Sequence, residues 1–119
     1  MLIPAEKIEQ KVLKELAKKW FEDMIKYVVD VKREIIAIGG ELHADAEEIL
    51  IEDGSRQEDL WGANFYLWNG YPDRIEYTAL INIRPSQGNP GMEIMNEGIK
   101  KKIRIISEKL LLGSDEHVT

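Results

Sequence analysis

The chain has no cysteine and only two histidines in 119 residues. Without thiols there are no disulfide staples and no thiolate metal ligands, and a cytoplasmic setting is the expectation. No run of about 18 apolar residues occurs, so no membrane span is expected. The first ten residues, MLIPAEKIEQ, lack a basic region followed by an apolar stretch, so no secretory signal is expected either. An excess of positive charge is also missing: 22 acids against 16 bases leave a net charge of −6. That balance opposes binding a polyanion through the overall field, so nucleic acid is an unlikely partner. The one basic cluster, Lys100, Lys101, Lys102 and Arg104, reads most simply as a solvated helix face. There is no P-loop, no nucleophile elbow and no Ser, His and Asp set. Asp53 to Asp59 has the wrong glycine position and final residue for a calcium loop.

What is present is a soluble, globular composition, 44% hydrophobic and 32% charged. A chain of this length supports a single domain that buries roughly two thirds of its unfolded surface. Pro4 suits the first turn of a helix. Ile8, Val12, Leu13, Leu16, Ala17, Trp20, Phe21 and Met24 then recur at helical spacing, which predicts an amphipathic helix ending near Glu22 or Asp23. Met24 to Val31 and Glu34 to Ile38 are β-branched. They form either two strands joined at Lys32-Arg33 or one strand that bends there. Gly39-Gly40 permits positive φ and marks a tight turn or bulge; it is not a phosphate loop.

In Leu42 to Ile51, Leu42, Ala44 and Ala46 alternate with His43, Asp45 and Glu47. We read this as a strand in preference to a helix, because Asp53-Gly54-Ser55 looks like a connection into the aromatic strand Leu60 to Trp68. Trp68 to Asp73 is turn chemistry. Ile75 to Arg84 alternates clearly and predicts a strand with Glu76, Thr78, Leu80, Asn82 and Arg84 on its polar face. After a loop over Pro85 to Gly91, Met92, Met95, Ile99, Ile103, Ile106 and Leu110 predict a last helix. Asn89 would be its N-cap, Pro90 its first position and Gly113 its stop. Residues 113–119 have little to bury and are expected to be a mobile tail. The pattern is α+β: an antiparallel sheet of about four strands, with N-terminal and C-terminal helices on one face and the polar residues gathered on the other, open or half-open face.

On that face His43, Asp45, Glu47, Asn64, Asn82, Arg84 and Gln87 are the candidate binding residues. His43, Asp45 and Glu47, pointing into one volume, could hold a divalent metal or place an acid and a base across a substrate. A metal site there, with Arg84 stabilising a developing anion, would make a metal-assisted hydrolase. The simpler alternative is a hydrogen-bonded ionic network. Asn82 and Arg84 with Ser86, Gln87 and Asn89 suit a carboxylate or phosphate, unless Arg84 pairs with an acid of the 43–47 run. Trp61, Phe65, Tyr66 and Trp68 read as sheet core or interface before nucleotide stacking, and Trp68-Asn69-Gly70-Tyr71 at a hairpin tip would suit a homodimer. The primary expectation is a module that binds a small ligand or a protein partner on its polar sheet face. The alternatives are the hydrolase and a homo-oligomeric interaction protein.

The run GGELHADAEEILIEDGSRQEDLWGANFY followed by LINIRPSQGN resembles the signature of a small family of uncharacterised bacterial and archaeal proteins, a domain of unknown function. The resemblance covers roughly residues 28–89 and implies no activity, substrate or cofactor. In that family the residue after the final Asn is often Arg. Here Pro90 and Gly91 follow Asn89, so if that Arg belonged to a site, this chain lacks one of its groups.

Overall fold

A computed structural model describes residues 2–119. Four antiparallel strands, β1 (Met24–Asp30), β2 (Ile35–Ile38), β3 (Leu60–Tyr66) and β4 (Ile75–Glu76), are ordered β2-β1-β3-β4. The helices are α1 (Gln10–Trp20), α2 (His43–Glu52) and α3 (Glu97–Leu110). Among the described residues no helix is long and apolar enough to cross a membrane.

The two-residue period of the strands sorts side chains into two cores. Ile25, Tyr27, Val29, Ile36, Ile38, Trp61, Ala63 and Phe65 join Leu13 and Ala17 of α1 and Ile103, Ile106 and Leu110 of α3 in the larger one. This is the α+β arrangement that the sequence predicts, with the terminal helices on one face. The second face, expected to stand open or half open, is covered at one end by α2 and open at the Lys26, Asn64 and Glu76 end. Val28, Ala37 and Leu60 pack there against Ala46 and Leu50 of α2.

The segment read as a strand over Leu42 to Ile51 is therefore a helix. Ala46 and Leu50, four residues apart, form the buried side of α2, and that spacing decides the packing over the apparent alternation. Lys32-Arg33 is a hairpin turn between two strands. Buried Asp30 holds it through Oδ1, which accepts from the amides of Lys32 at 2.9 Å and Arg33 at 2.8 Å. Gly39 and Gly40 have φ of 99° and 88°, the left-handed region that glycine adopts freely.

Three further boundaries move. α1 begins at Gln10 and not near Pro4, because the Ile8 amide donates to Leu110 O at 2.9 Å and ties that segment to the end of α3. The strand expected over Ile75 to Arg84 pairs with β3 only through Ile75 and Glu76, then turns into short 3-10 helices at Leu80–Asn82 and Pro85–Gln87. α3 begins at Glu97, where Asn96 and not Asn89 is the cap, its side chain accepting from the Ile99 amide at 2.9 Å.

Residues 113–119 run along α1 and the 67–74 hairpin. Glu116 meets Lys7 and Gln10, and buried Arg74 donates to Gly113 O at 3.1 Å and Glu116 O at 2.7 Å. The Lys7 ammonium, then the Gly113 amide, hold the Glu116 carboxyl down at about 2, from an ordinary 4.5. A depressed carboxylate stabilises the fold above its unfolded pKa and ceases to do so as pH falls through its folded one. Acidification from about pH 5 to about pH 2 is therefore expected to loosen this segment. Protection factors of the 113–119 amides, each referred to the intrinsic exchange rate at the same pH, should fall over that range in the native chain and be already low, and flat with pH, in Glu116→Gln.

Candidate functional site

The two-residue strand period and the register β1-β3-β4 place Lys26 opposite Asn64 and Asn64 opposite Glu76, a polar row on the α2 side of the sheet. β4 reaches no further along β3 than Asn64, so Leu60 to Ala63 have no strand beside them on that edge. Residues 78–95 close it instead.

Asn82 performs the closure. Its Oδ1 accepts from the Gly62 amide at 2.8 Å, and its Nδ2 donates to Gly62 O at 2.9 Å and Met92 O at 3.2 Å. One side-chain amide thus satisfies the donor and the acceptor that a neighbouring strand would have used. Gly62 permits this approach, since a Cβ there would lie 2.6 Å from Ala79 Cβ and 3.1 Å from His43 Cδ2. Asn89, also buried, donates to the carbonyls of Asn82, Gly91 and Glu93 and accepts from the Met95 amide. Both asparagines are buried backbone-binding groups, not parts of an anion site.

Arg84 is equally committed. It donates to Ile81 O at 3.0 Å and Gln57 O at 2.9 Å, lies over the Trp61 ring at 4.8 Å and pairs with Glu47 at 3.3 Å. The pair is shielded, with side-chain exposures of 9% for Arg84 and 14% for Glu47. Burial pushes the guanidinium below its ordinary pKa, and Glu47 pulls it back up. This is the Arg84–carboxylate pairing weighed as the simpler alternative, with Glu47 as the acid. Gln87 is exposed and donates to Glu58 O at 3.0 Å, and Ser86 is exposed.

The His43, Asp45 and Glu47 constellation disperses. On a helix, positions two apart differ by about 200°, so Asp45 projects into solvent away from the other two. Among the described residues no three His, Asp or Glu groups are placed to hold a metal ion.

His43 and Asn64 do come together. With Lys26, Glu76, Thr78 and the apolar side chains Leu42, Leu80, Ile81 and Met92, they line an open pocket of about 450 Å³. His43 Nε2 lies 2.9 Å from Ala63 O. A carbonyl only accepts, so Nε2 carries the proton and Nδ1 of the neutral ring is the acceptor. Burial pushes the imidazole below its ordinary 6.5, as does the charge of Lys26, while the Ala63 carbonyl, Asn64 and Glu76 pull it up. Asn64 Nδ2 donates to Glu76 Oε1 at 2.7 Å and Thr78 O at 3.3 Å, which fixes the amide orientation. Among the described residues its buried Oδ1 has no partner at hydrogen-bond distance, although it stands near enough to the His43 ring to favour the protonated imidazole. Glu76 lies on the polar face expected of its segment, and Lys26 is a pocket residue that belongs to no motif. The alternation of MIKYVVD, with Lys26 between Ile25 and Tyr27, was the available signal for Lys26.

The family model of a protein of unknown function, DUF5674, matches residues 2–110. The chain belongs to this family. No curated protein and no solved structure matches it.

Two outcomes follow from this geometry. Asn82→Ala strands the buried Gly62 amide and carbonyl, and a loss of about 2–4 kcal/mol is expected in denaturant melts; a loss below about 1 kcal/mol would refute the edge-closing role. The His43 Cε1 proton should titrate with a midpoint below 6.5. Since the unfolded ring takes up a proton first, stability falls as pH drops below about 6.5, and less steeply in His43→Gln. A midpoint at or above the ordinary value would contradict the desolvated, Nε2-protonated ring.

Proposed function

We propose that this chain is a small-ligand-binding module whose site is the pocket between the first turn of α2 and the Lys26, Asn64 and Glu76 row. The observation that carries this reading is the unpaired Asn64 Oδ1. A buried carbonyl oxygen without a partner costs free energy of order 1–3 kcal/mol, and a ligand that donates to it recovers that cost. Asn64 Oδ1, His43 Nδ1 and the second oxygen of Glu76 are all acceptors, with the Lys26 ammonium at the end of the row. The complementary molecule presents N–H or O–H donors to this floor, as an amine, amide or polyol does. It lays an apolar part against Leu42, Leu80 and Met92, which are 54%, 70% and 42% exposed around the opening. A few placed polar groups within an apolar rim is the usual make-up of a small-molecule pocket.

The test is a panel of amines, amides, polyols and carboxylates added to isotope-labelled protein. Donor-bearing compounds should shift the amides of Lys26, His43, Asn64 and Glu76 together. Asn64→Leu removes the unpaired oxygen together with the Nδ2 donor to Glu76 and Thr78, so a stability loss of about 1–3 kcal/mol is expected while the fold persists and those shifts disappear. A panel that leaves these amides unmoved, or shifts that survive Asn64→Leu, would overturn the reading.

A further inference from the structure

The first two turns of α3 hold the main basic cluster of an acidic chain, and the fold sets it beside the 67–74 hairpin. Lys100, Lys101 and Arg104, with Tyr71, Tyr77 and one acid, Glu97, line an open groove of about 390 Å³. Lys100 and Arg104 are four residues apart and share a helix face. Arg104 is held in place by an aromatic residue: Nη1 donates to Tyr71 Oη at 2.6 Å, and the guanidinium lies 5.6 Å from the centre of the same ring. Lys100 lies over the Tyr77 ring at 5.4 Å. Among the described residues neither Arg104 nor Lys101 has a carboxylate at salt-bridge distance. Lys100 has only Glu97 at 3.7 Å, whose side chain is 87% exposed. Three cations therefore converge in a groove whose lining holds one solvated acid, with Glu108, one turn beyond Arg104, lining the adjoining pocket, and one cation is already ordered with most of its N–H donors unspent. An ordered guanidinium loses less side-chain entropy on binding and presents a fork that fits tetrahedral oxyanions. The positive end of the α3 dipole adds to the same field.

We propose that this groove binds a phosphate-bearing small molecule, with Arg104 as the primary contact and Lys100 and Lys101 neutralising the remaining charge. With Glu97 counted, the lining keeps a surplus of two positive charges, which a dianionic phosphate matches and a single carboxylate only half neutralises. The site is independent of the donor-ligand pocket, which lies on the opposite face of the sheet.

The experiment is a titration of the whole chain with pyrophosphate at low salt, followed by amide NMR. Saturable shifts at Tyr71, Tyr77 and residues 97–104 are expected, with a dissociation constant of about 1 mM or tighter. Arg104→Gln should weaken binding about tenfold or more, and Lys101→Gln about threefold. Lys102→Gln removes the same charge from a side chain that faces a different groove, beside Val31 and Ile105, and should change it less than about twofold. Absence of saturation by about 10 mM would overturn the proposal. So would equal losses from Arg104→Gln and Lys102→Gln, which would reveal only a diffuse field. A glutamate-rich peptide that occupies the groove more tightly than pyrophosphate would overturn it in favour of an acidic protein partner.

Discussion

The architecture depends on the contact between the Asn82 amide and both polar groups of Gly62. β3 is central at one end and an edge at the other, because β4 pairs with it only at Asn64 and Phe65. An uncovered edge inside a domain leaves buried amides and carbonyls unpaired, which a chain of this size cannot absorb. The Asn82 side chain stands in for the missing strand. Asn89 then fixes the carbonyl of Asn82 and the loop behind it, so that residues 78–95 hold a shape without a ladder of their own.

The same contact positions the pocket. Because residues 78–82 fold over Gly62, Leu80 and Ile81 become a wall, and the row of Lys26, Asn64 and Glu76 becomes the floor of a cleft where a flat sheet surface would otherwise lie. α2 supplies the opposite wall. Ala46 and Leu50 anchor it on Val28 and Leu60, and its first turn brings the His43 ring against Gly62 and Ala63. Fold and site thus share residues, and the groups most unusual in the sequence divide between them. Asn82, Arg84, Glu47 and Asn89 are spent on holding loops, while His43 and Asn64 are left facing a pocket.

This division explains what could be read from residues alone. Periodicity revealed α1, β1, β3 and the body of α3, because their apolar spacing is a direct consequence of facing a core. It failed in two places for identifiable reasons. In Leu42 to Ile51 both periods were present, since Ala44 and Ala46 alternate with polar residues while Ala46 and Leu50 lie four apart. Only knowledge of what α2 packs against separates the two. In Ile75 to Arg84 the alternation was real, but Asn82 gains more by turning inward to Gly62 than by extending a strand, and no local pattern encodes a side chain that binds a distant backbone. The Arg84 and Glu47 pairing was legible as chemistry. The burial that turns it from a binding group into an internal tie was not.

An exposed strand margin invites capture by another chain, and sequences commonly guard against this with lysine, proline or a bulge. At Gly62 the guard is built differently: the hydrogen-bonding pair that an incoming peptide would need is engaged by the protein's own carboxamide, and Ala79 and His43 fill the space left by the absent side chain. A molecule that lost this one amide would expose a template for aggregation at the same position where it lost the wall of its cleft.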